Sequence, residues 1–170
     1  PVTMSLSVAT GTTPVSALGT ATEQLQEAGS AQDDCRREVL RGQTIDEQFR
    51  TETDVQLAHF DVDDATGKYT DKLNEFDTFI QIEQGYAALM KYMREAHDSL
   101  SFFVGGDNVI AVCPDLDEAA YRDACEHVRE AVDVELKVGV GRRRTPADAG
   151  MDAKHALEEC RHDGATVRFK

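Results

Sequence analysis

The sequence contains no tryptophan, and it lacks the cysteine pattern of a disulfide-stabilised domain. Aromatic residues make up 6% of the 170 residues, and the four cysteines form neither a Cys-x-x-Cys pair nor a zinc-type spacing with histidine. Small secreted domains depend on closely spaced cysteine pairs, so we expect no disulfide framework. Cys113 follows an apolar run and Cys160 lies in a helical pattern, and both are predicted to be small core residues.

Long apolar runs are also missing. No stretch of about 18 apolar residues occurs, so the sequence predicts no membrane-spanning helix. The first 13 residues lack the basic start of a signal peptide. We therefore expect a cytoplasmic location. The chain begins with Pro1 instead of methionine, which we interpret as the sign of a fragment.

Positive charge is scarce, and lysine in particular. Acidic residues number 32 against 18 basic ones, which gives a formal net charge of −14, and only six of the basic residues are lysine. Such a surface repels nucleic acid backbones, so we expect no DNA or RNA partner. It also repels nucleotides unless a metal ion mediates their binding. Acid-rich surfaces keep halophilic proteins soluble in high salt, and we expect a halophilic source.

From residue 55 onward the apolar pattern predicts an α+β fold. Strands are predicted over residues 56–62, 99–104, 109–113 and 134–140, and helices over residues 70–96, 115–132 and 146–164. The order β-α-β-β-α-β, followed by a helix, is that of the ferredoxin-like fold. We accordingly expect an antiparallel sheet with its helices on one face.

The N-terminal segment repeats a strand and a helix found near the C terminus. At a shift of 132 residues the alternating apolar residues of 2–8 fall on those of 134–140, and Thr13-Pro14 falls on Thr145-Pro146. Each Thr-Pro pair predicts a helix start, with threonine as N-cap. We interpret residues 1–30 as the tail of a truncated first domain of the same fold. Residues 31–54 are predicted to be a helix, ending near Arg41, and a linker, and residues 55–170 a complete second domain.

Two aspartates are placed to bind a metal ion. Asp61 ends the strand over residues 56–62, and Asp107 lies in the tight turn after residues 99–104. We expect the first strand to lie centrally, beside the strand that leads into this hairpin, so that both acids meet at one sheet edge. Carboxylates with substrate phosphate suit Mg²⁺, and two such ions clamp a triphosphate and activate water. The alternative is structural, with Asp107 only making the turn and Asp61 only capping the next segment.

Several segments resemble known nucleotide enzymes. Residues 104–108 (Val-Gly-Gly-Asp-Asn) resemble the hairpin of the GGDEF diguanylate cyclases, and Asp61 with Thr66 five residues later resembles the metal segment of class III nucleotide cyclases. The chain is most similar to the C-terminal two thirds of archaeal GTP cyclohydrolase III. Residues 25–40 resemble its helix signature, residues 56–71 its strand and loop, and residues 88–108 its later helix and hairpin.

This resemblance implies tandem palm domains of the cyclase type and an Mg²⁺-dependent hydrolase. Such an enzyme opens the imidazole ring of GTP with water, keeps the C8 formyl group and releases pyrophosphate or phosphate. The product is 2-amino-5-formylamino-6-(5-phosphoribosylamino)pyrimidin-4(3H)-one, a precursor of archaeal riboflavin and deazaflavin. We also expect two Mg²⁺ ions, a monovalent cation such as K⁺, and a dimer or tetramer.

The expected site residues lie in the two matching segments and in the last helix. We expect the metal at Asp61, Val62 and Asp107, and His59 is a candidate general base or a structural residue. Expected substrate contacts are Asp63, Thr66, Gly67, Lys68, Gly105, Gly106, Asn108 and Arg161. Arg161 alternatively offsets the dipole at its helix C terminus.

Two other functions stay open at this point. One is a nucleotidyl or diguanylate cyclase that shares the metal site, and the other is a non-catalytic module that senses GTP. Diguanylate cyclases carry glutamate where this chain has Asn108, so a metal-binding carboxylate is lost, which argues against cyclic dinucleotide synthesis. The missing strands of the first domain are expected to carry acidic residues of their own.

Overall fold

The computed structural model describes residues 4–29, 38–42 and 54–170. The chain divides into two compact units, Pro1–Thr53 and Asp54–Lys170. None of the helices in the described ranges is long and apolar enough to cross a bilayer.

The first unit contains a strand-helix-strand element. Strand β1 (Leu6–Val8) leads into helix α1 (Pro14–Gln26), and strand β2 (Leu40–Gly42) pairs with β1 in parallel. The Thr13 hydroxyl accepts a hydrogen bond from the Ser16 amide, and the Ser16 hydroxyl accepts one from the Thr13 amide. This reciprocal cap satisfies two amides at the helix start, so the predicted start at Thr13-Pro14 is confirmed.

The second helix predicted for this unit is wrong at its end. Leu40 and Arg41 lie in β2 and not in a helix. The rest of the predicted helix and linker falls mostly outside the described residues. A strand of three residues is too short to show an alternating pattern, which is why the sequence did not reveal it.

The apolar side chains of the first unit are largely exposed. Met4 and Leu40 are each 75% exposed, Leu6 and Val8 are nearly half exposed, and no residue of α1 is buried. Leu6, Val8 and Leu40 of the two strands are therefore not part of a buried core within this unit.

The second unit is a five-stranded sheet with three helices. Its strands are β3 (Val55–Val62), β4 (Leu100–Gly105), β5 (Asn108–Cys113), β6 (Leu136–Arg143) and β7 (Val167–Phe169). Its helices are α2 (Glu75–His97), α3 (Glu118–Val132) and α4 (Pro146–Asp163). The strands lie in the order β4-β5-β3-β6-β7, and only β7 runs parallel to its neighbour. The α+β palm fold is confirmed, with a mixed sheet in place of the expected antiparallel one.

Strand β3 is central as predicted, but one of its expected neighbours is wrong. It lies between β5 and β6, and β4 is at the edge. The connection through α2 places β4 two positions away from β3, and the tight hairpin then returns β5 into the gap between them. Asn108 consequently pairs with Asp61 in register, and the hairpin turn lies at the end of β3.

The helices cover both faces of the sheet, so the expectation of a single helical face is also wrong. Helices α2 and α3 pack with Phe60 and Val138 in the main core. Helix α4 covers the opposite face, where a Cβ atom on Gly139 would lie 2.1 Å from the carbonyl oxygen of Ala153. Because Gly139 and Gly141 have no side chains, the backbone of α4 approaches β6 closely.

Strand β7, which was not predicted, completes a second strand-helix-strand element. Val138 of β6 pairs with Val167 of β7, as Leu6 of β1 pairs with Leu40 of β2. Leu6 and Val138 are separated by the 132 residues of the sequence repeat. Threonine caps the connecting helix in both elements. The repeat thus extends from sequence to strand pairing and helix capping.

Candidate metal and nucleotide site

Asp61 is a buried carboxylate on the face of the sheet that α4 covers. Strand alternation directs Phe60 and Val62 into the main core and His59 and Asp61 to the other face. Arg161 of α4 donates from Nε to Oδ2 of Asp61 at 3.0 Å, and its Nη2 lies 2.6 Å from Oδ1. Oδ1 is buried and has this ion-pair contact but no hydrogen bond.

The charges around Asp61 favour an added cation. Burial raises the pKa of Asp61, the hydrogen bond from Arg161 lowers it, and the negative charge of Asp107 raises it, with a net increase. The hydrogen bond to Asp61 also raises the pKa of Arg161. A carboxylate whose ionisation is opposed by burial and by a neighbouring negative charge is stabilised by a bound cation, so Asp61 can accept a cation besides Arg161.

Asp107 is placed by the tight turn between β4 and β5. Gly105 and Gly106 have φ angles of 114° and 64°, which glycine adopts without strain. The carbonyl oxygen of Asp107 accepts a hydrogen bond from the Val62 amide at 3.3 Å. The turn is thereby joined to the end of β3, and the two aspartates come to one sheet edge as predicted.

Asn108 connects Asp107 to His59. Its Nδ2 donates to Oδ1 of Asp107 at 3.0 Å, and its Oδ1 lies 2.8 Å from Nε2 of His59. An amide oxygen only accepts, so Nε2 of His59 is the donor and Nδ1 is the acceptor in the neutral ring. His59, Asn108 and Asp107 therefore form one hydrogen-bonded chain, in which Nδ1 is the nitrogen that can take a proton.

Tyr86 of α2 is a site residue that the sequence did not reveal. Its hydroxyl donates to the carbonyl oxygen of Gly106 at 2.8 Å, and its ring contacts Phe103 at a centroid distance of 5.1 Å. Burial and then the charge of Asp107 raise the pKa of Tyr86, so its hydroxyl stays a donor. A tyrosine within a helical pattern gives no sign of which carbonyl its hydroxyl contacts.

Asp63 and Lys68, two expected substrate contacts, are ion-paired with each other. Nζ of Lys68 lies 2.7 Å from both Asp63 and Glu135, and Nζ of Lys137 lies 2.7 Å from Asp63. Burial opposes ionisation of Asp63, but Lys137 and Lys68 lower its pKa overall. This network joins the loop after β3 to β6, and no pattern in the sequence pointed to Glu135 or Lys137.

Thr66 and Gly67, two further expected substrate contacts, lie in a short π-helical turn, Thr66–Thr70. The long helix predicted from residue 70 begins instead at Glu75, after its N-cap Asn74. The Gly67 amide donates to Oδ1 of Asp64 at 3.1 Å. Phosphate contacts by Thr66 and Gly67 stay predictions.

The donor atoms at this edge fit a hard cation such as Mg²⁺. The carboxylates of Asp61 and Asp107 lie close enough for their charges to interact, and among residues 4–29, 38–42 and 54–170 no three histidine, cysteine or acidic side chains form a metal cluster. Structural zinc sites use four protein ligands and catalytic ones three. Mg²⁺ typically takes one or two carboxylates together with substrate phosphates, so the site suits a cation that shares its ligands with a nucleotide.

The fold of the second unit is that of a palm domain of the nucleotide-cyclase type. Diguanylate cyclase SiaD from Pseudomonas aeruginosa superposes with a TM-score of 0.56 and 20% identity, over 69% of this chain and 50% of that chain. A bacterial light-regulated adenylyl cyclase superposes with a TM-score of 0.57 and 13% identity, over 69% of this chain and 43% of that chain. At these identities the likeness shows the fold alone.

The chain belongs to the GTP cyclohydrolase III family, whose model matches residues 1–169. GTP cyclohydrolase III of Natronomonas pharaonis is 68% identical over 99% of this chain and 67% of the relative. GTP cyclohydrolase III 1 of Halobacterium salinarum is 62% identical over 99% of this chain and 66% of the relative. The chain thus spans about two thirds of these haloarchaeal relatives. The predicted family is confirmed, and the organisms agree with the expected halophilic source.

Proposed function

We propose that this chain is the larger part of an Mg²⁺-dependent GTP cyclohydrolase. The observation that carries the proposal is the buried Asp61 beside Asp107, in a chain whose relatives are named GTP cyclohydrolase III. In the proposed reaction water adds to C8 of GTP, the bond from C8 to N9 breaks, and C8 stays on N7 as a formyl group. Cleavage of the phosphate chain leaves the ribonucleotide monophosphate.

Each site residue has a proposed part in this reaction. Asp61 and Asp107, with the backbone at Val62, would hold Mg²⁺, which binds phosphates and activates water when present. Arg161 is a half-exposed guanidinium at the same edge and suits a phosphate group. His59 presents Nδ1 as a proton acceptor, so we propose it as the general base.

The remaining features of the proposal derive from the family resemblance. They are a second Mg²⁺, a monovalent cation such as K⁺, a homo-oligomer, a cytoplasmic location, and a place in riboflavin and deazaflavin synthesis. They stay predictions of the sequence.

The ultraviolet spectrum of intact protein incubated with GTP and Mg²⁺ tests the reaction. Imidazole opening destroys the purine chromophore, so the purine absorbance should fall as product forms. A cyclic nucleotide formed with an unchanged spectrum would instead establish a nucleotidyl cyclase. Tight GTP binding without any product would establish a sensing module.

Asp107→Asn tests the metal site directly. The change removes a carboxylate charge but keeps the side-chain shape, so turnover should fall by at least ~100-fold while the fold survives. Asp115→Asn is the control, because Asp115 is an exposed partner of Arg142 and should leave turnover unchanged. Normal turnover of Asp107→Asn at low Mg²⁺ would remove Asp107 from the site.

A further inference from the structure

Arg161 occupies the atoms of Asp61 that a metal ion would need. It contacts both carboxylate oxygens, at 3.0 Å and 2.6 Å, while the carboxylate itself is buried. Mg²⁺ binds a carboxylate oxygen at about 2.0–2.1 Å. A metal ion at that distance would stand within a few ångströms of the guanidinium, where like charges repel strongly. The arginine and a metal ion therefore compete for Asp61.

We infer that Arg161 makes the site select a metal–nucleotide complex over the free divalent cation. A free cation must displace the guanidinium from a buried carboxylate and provides no new partner for it. A metal–triphosphate complex brings phosphate oxygens, which accept the arginine fork as well as a carboxylate does. This inference rests on the proposed function, because it takes the nucleotide to bind at Asp61 and Asp107.

Among the described cationic side chains near the site, Arg161 is the one that contacts Asp61 and can change partner. The neighbouring cations Lys68 and Lys137 are held by Asp63 and Glu135, whereas Arg161 contacts Asp61. Its side chain is 48% exposed and lies in the last turn of α4, so the guanidinium can turn outward without disturbing packed neighbours. Metal and nucleotide then bind cooperatively, and the coupling acts through Arg161.

The test is a binding cycle with Mn²⁺ and a GTP analogue that carries an α,β-methylene group. Free Mn²⁺ is counted by electron paramagnetic resonance in the intact protein, with and without the analogue. In the wild type the analogue should tighten Mn²⁺ binding by a factor in the range of about 5–150. Arg161→Met should bind Mn²⁺ alone about 10-fold more tightly and the Mn²⁺–analogue complex about 10-fold more weakly, because competitor and phosphate ligand are lost together.

Two further variants make the result specific. Arg168→Met removes the same charge from a side chain that is also 48% exposed, but its partner Asp163 is 39% exposed. The dissociation constants of Mn²⁺ alone and of the Mn²⁺–analogue complex should then stay within about twofold of the wild-type values, since exposed ion pairs contribute little. Arg161→Lys keeps the charge without the two-point contact, and its free-Mn²⁺ affinity should lie between those of wild type and Arg161→Met.

Opposite shifts of the two constants in Arg161→Met support the inference. Weaker binding of both ligands, or unchanged binding of free Mn²⁺ in Arg161→Met and Arg161→Lys, overturns it and leaves Arg161 a simple phosphate contact. A wild-type protein that binds no Mn²⁺–analogue complex overturns the proposed function itself, and the inference with it.

Discussion

At the scale of single residues, the position of Asp107 depends on side chains from two other elements. Tyr86 binds the Gly106 carbonyl from the α2 face of the sheet, and His59 holds Asn108 on the face of α4. Asp61 and Asp107 were candidates from the sequence because one ends a strand and the other lies in a tight turn, and Arg161 was a candidate through the family resemblance. The sequence did not identify Tyr86, because a helical pattern gives no sign of what a tyrosine hydroxyl contacts.

Replacing Tyr86 by phenylalanine should weaken metal binding more than it weakens the fold. The change removes only the donor to Gly106, so the turn that carries Asp107 is less well held. We expect Mn²⁺ affinity in the presence of the GTP analogue to fall about 10-fold, and the free energy of unfolding to fall by about 1 kcal/mol.

Tyr121→Phe is the matched control. The Tyr121 hydroxyl is buried and donates to Oε1 of Gln56 at 2.9 Å, near the opposite end of β3. A similar loss of stability is expected there, with Mn²⁺ affinity unchanged. If both variants lose equal metal affinity, the Tyr86 hydroxyl acts on stability alone.

At the scale of elements, the placement of α4 brings Arg161 to Asp61. Gly139 and Gly141 on β6 leave room for the α4 backbone, and the small residues Ala149, Ala153 and Ala156 of the helix are buried there. The Thr-Pro start of α4 was predictable from the sequence, because helix capping is local. The sheet face that α4 covers depends on the two glycines. The sequence does not show that they allow a close helix approach, because this requires knowing where α4 lies.

Gly139→Ala should strongly destabilise the second unit. Its Cβ would lie 2.1 Å from the Ala153 carbonyl oxygen and 2.2 Å from the Leu157 amide nitrogen, so α4 must move away from β6. Overpacking of this kind lowers the free energy of unfolding by about 1–3 kcal/mol or more. Because Arg161 lies on α4, the shift should also weaken its contact with Asp61. Urea unfolding measures the change in the free energy of unfolding.

Gly150→Ala in α4 is the control. Its Cβ would meet only Leu57, at an ordinary distance of 3.6 Å, and alanine is favoured over glycine in a helix by about 0.5–1 kcal/mol. Its stability should be equal to or above that of the wild type. A Gly139→Ala variant as stable as Gly150→Ala would show that α4 is free to shift without loss.

At the scale of the whole molecule, the repeat and the relatives point to a longer protein. The match covers 169 residues and 67% of the Natronomonas pharaonis relative, which leaves about 83 of its residues outside. In the second unit about 80 residues, 54–135, precede β6, the strand that β1 repeats. We therefore propose that the longer protein supplies the missing strands of a first palm domain, of which residues 1–30 are the tail as the sequence predicts, and that β2 belongs to the same domain.

Hydrogen exchange should distinguish the two units. Amides of β1 should exchange quickly in this chain and slowly in the full-length protein, where upstream strands would cover their apolar neighbours. Amides of β6 should exchange slowly in both, because β6 already lies between β3 and β7. Equal protection of β1 in both proteins, with the shorter chain monomeric, would mean that its partners are already present.

The sequence alone determined features that depend on near neighbours. The two Thr-Pro helix starts and the Gly-Gly turn that carries Asp107 are local, and their capping and dihedral requirements can be read directly from the sequence. The 132-residue repeat was equally visible, because it requires only that two segments share a pattern.

The tertiary structure decided which distant elements meet. The contact of Arg161 with Asp61 spans 100 residues and that of Tyr86 with Gly106 spans 20. Neither contact produces a periodic pattern in the sequence from which it could be predicted. The neighbours of β3 and the sheet face covered by α4 follow from how the connections cross the sheet and how closely backbones approach. Those choices depend on the packing of the whole unit, because short segments pair equally well in several arrangements until the core selects one.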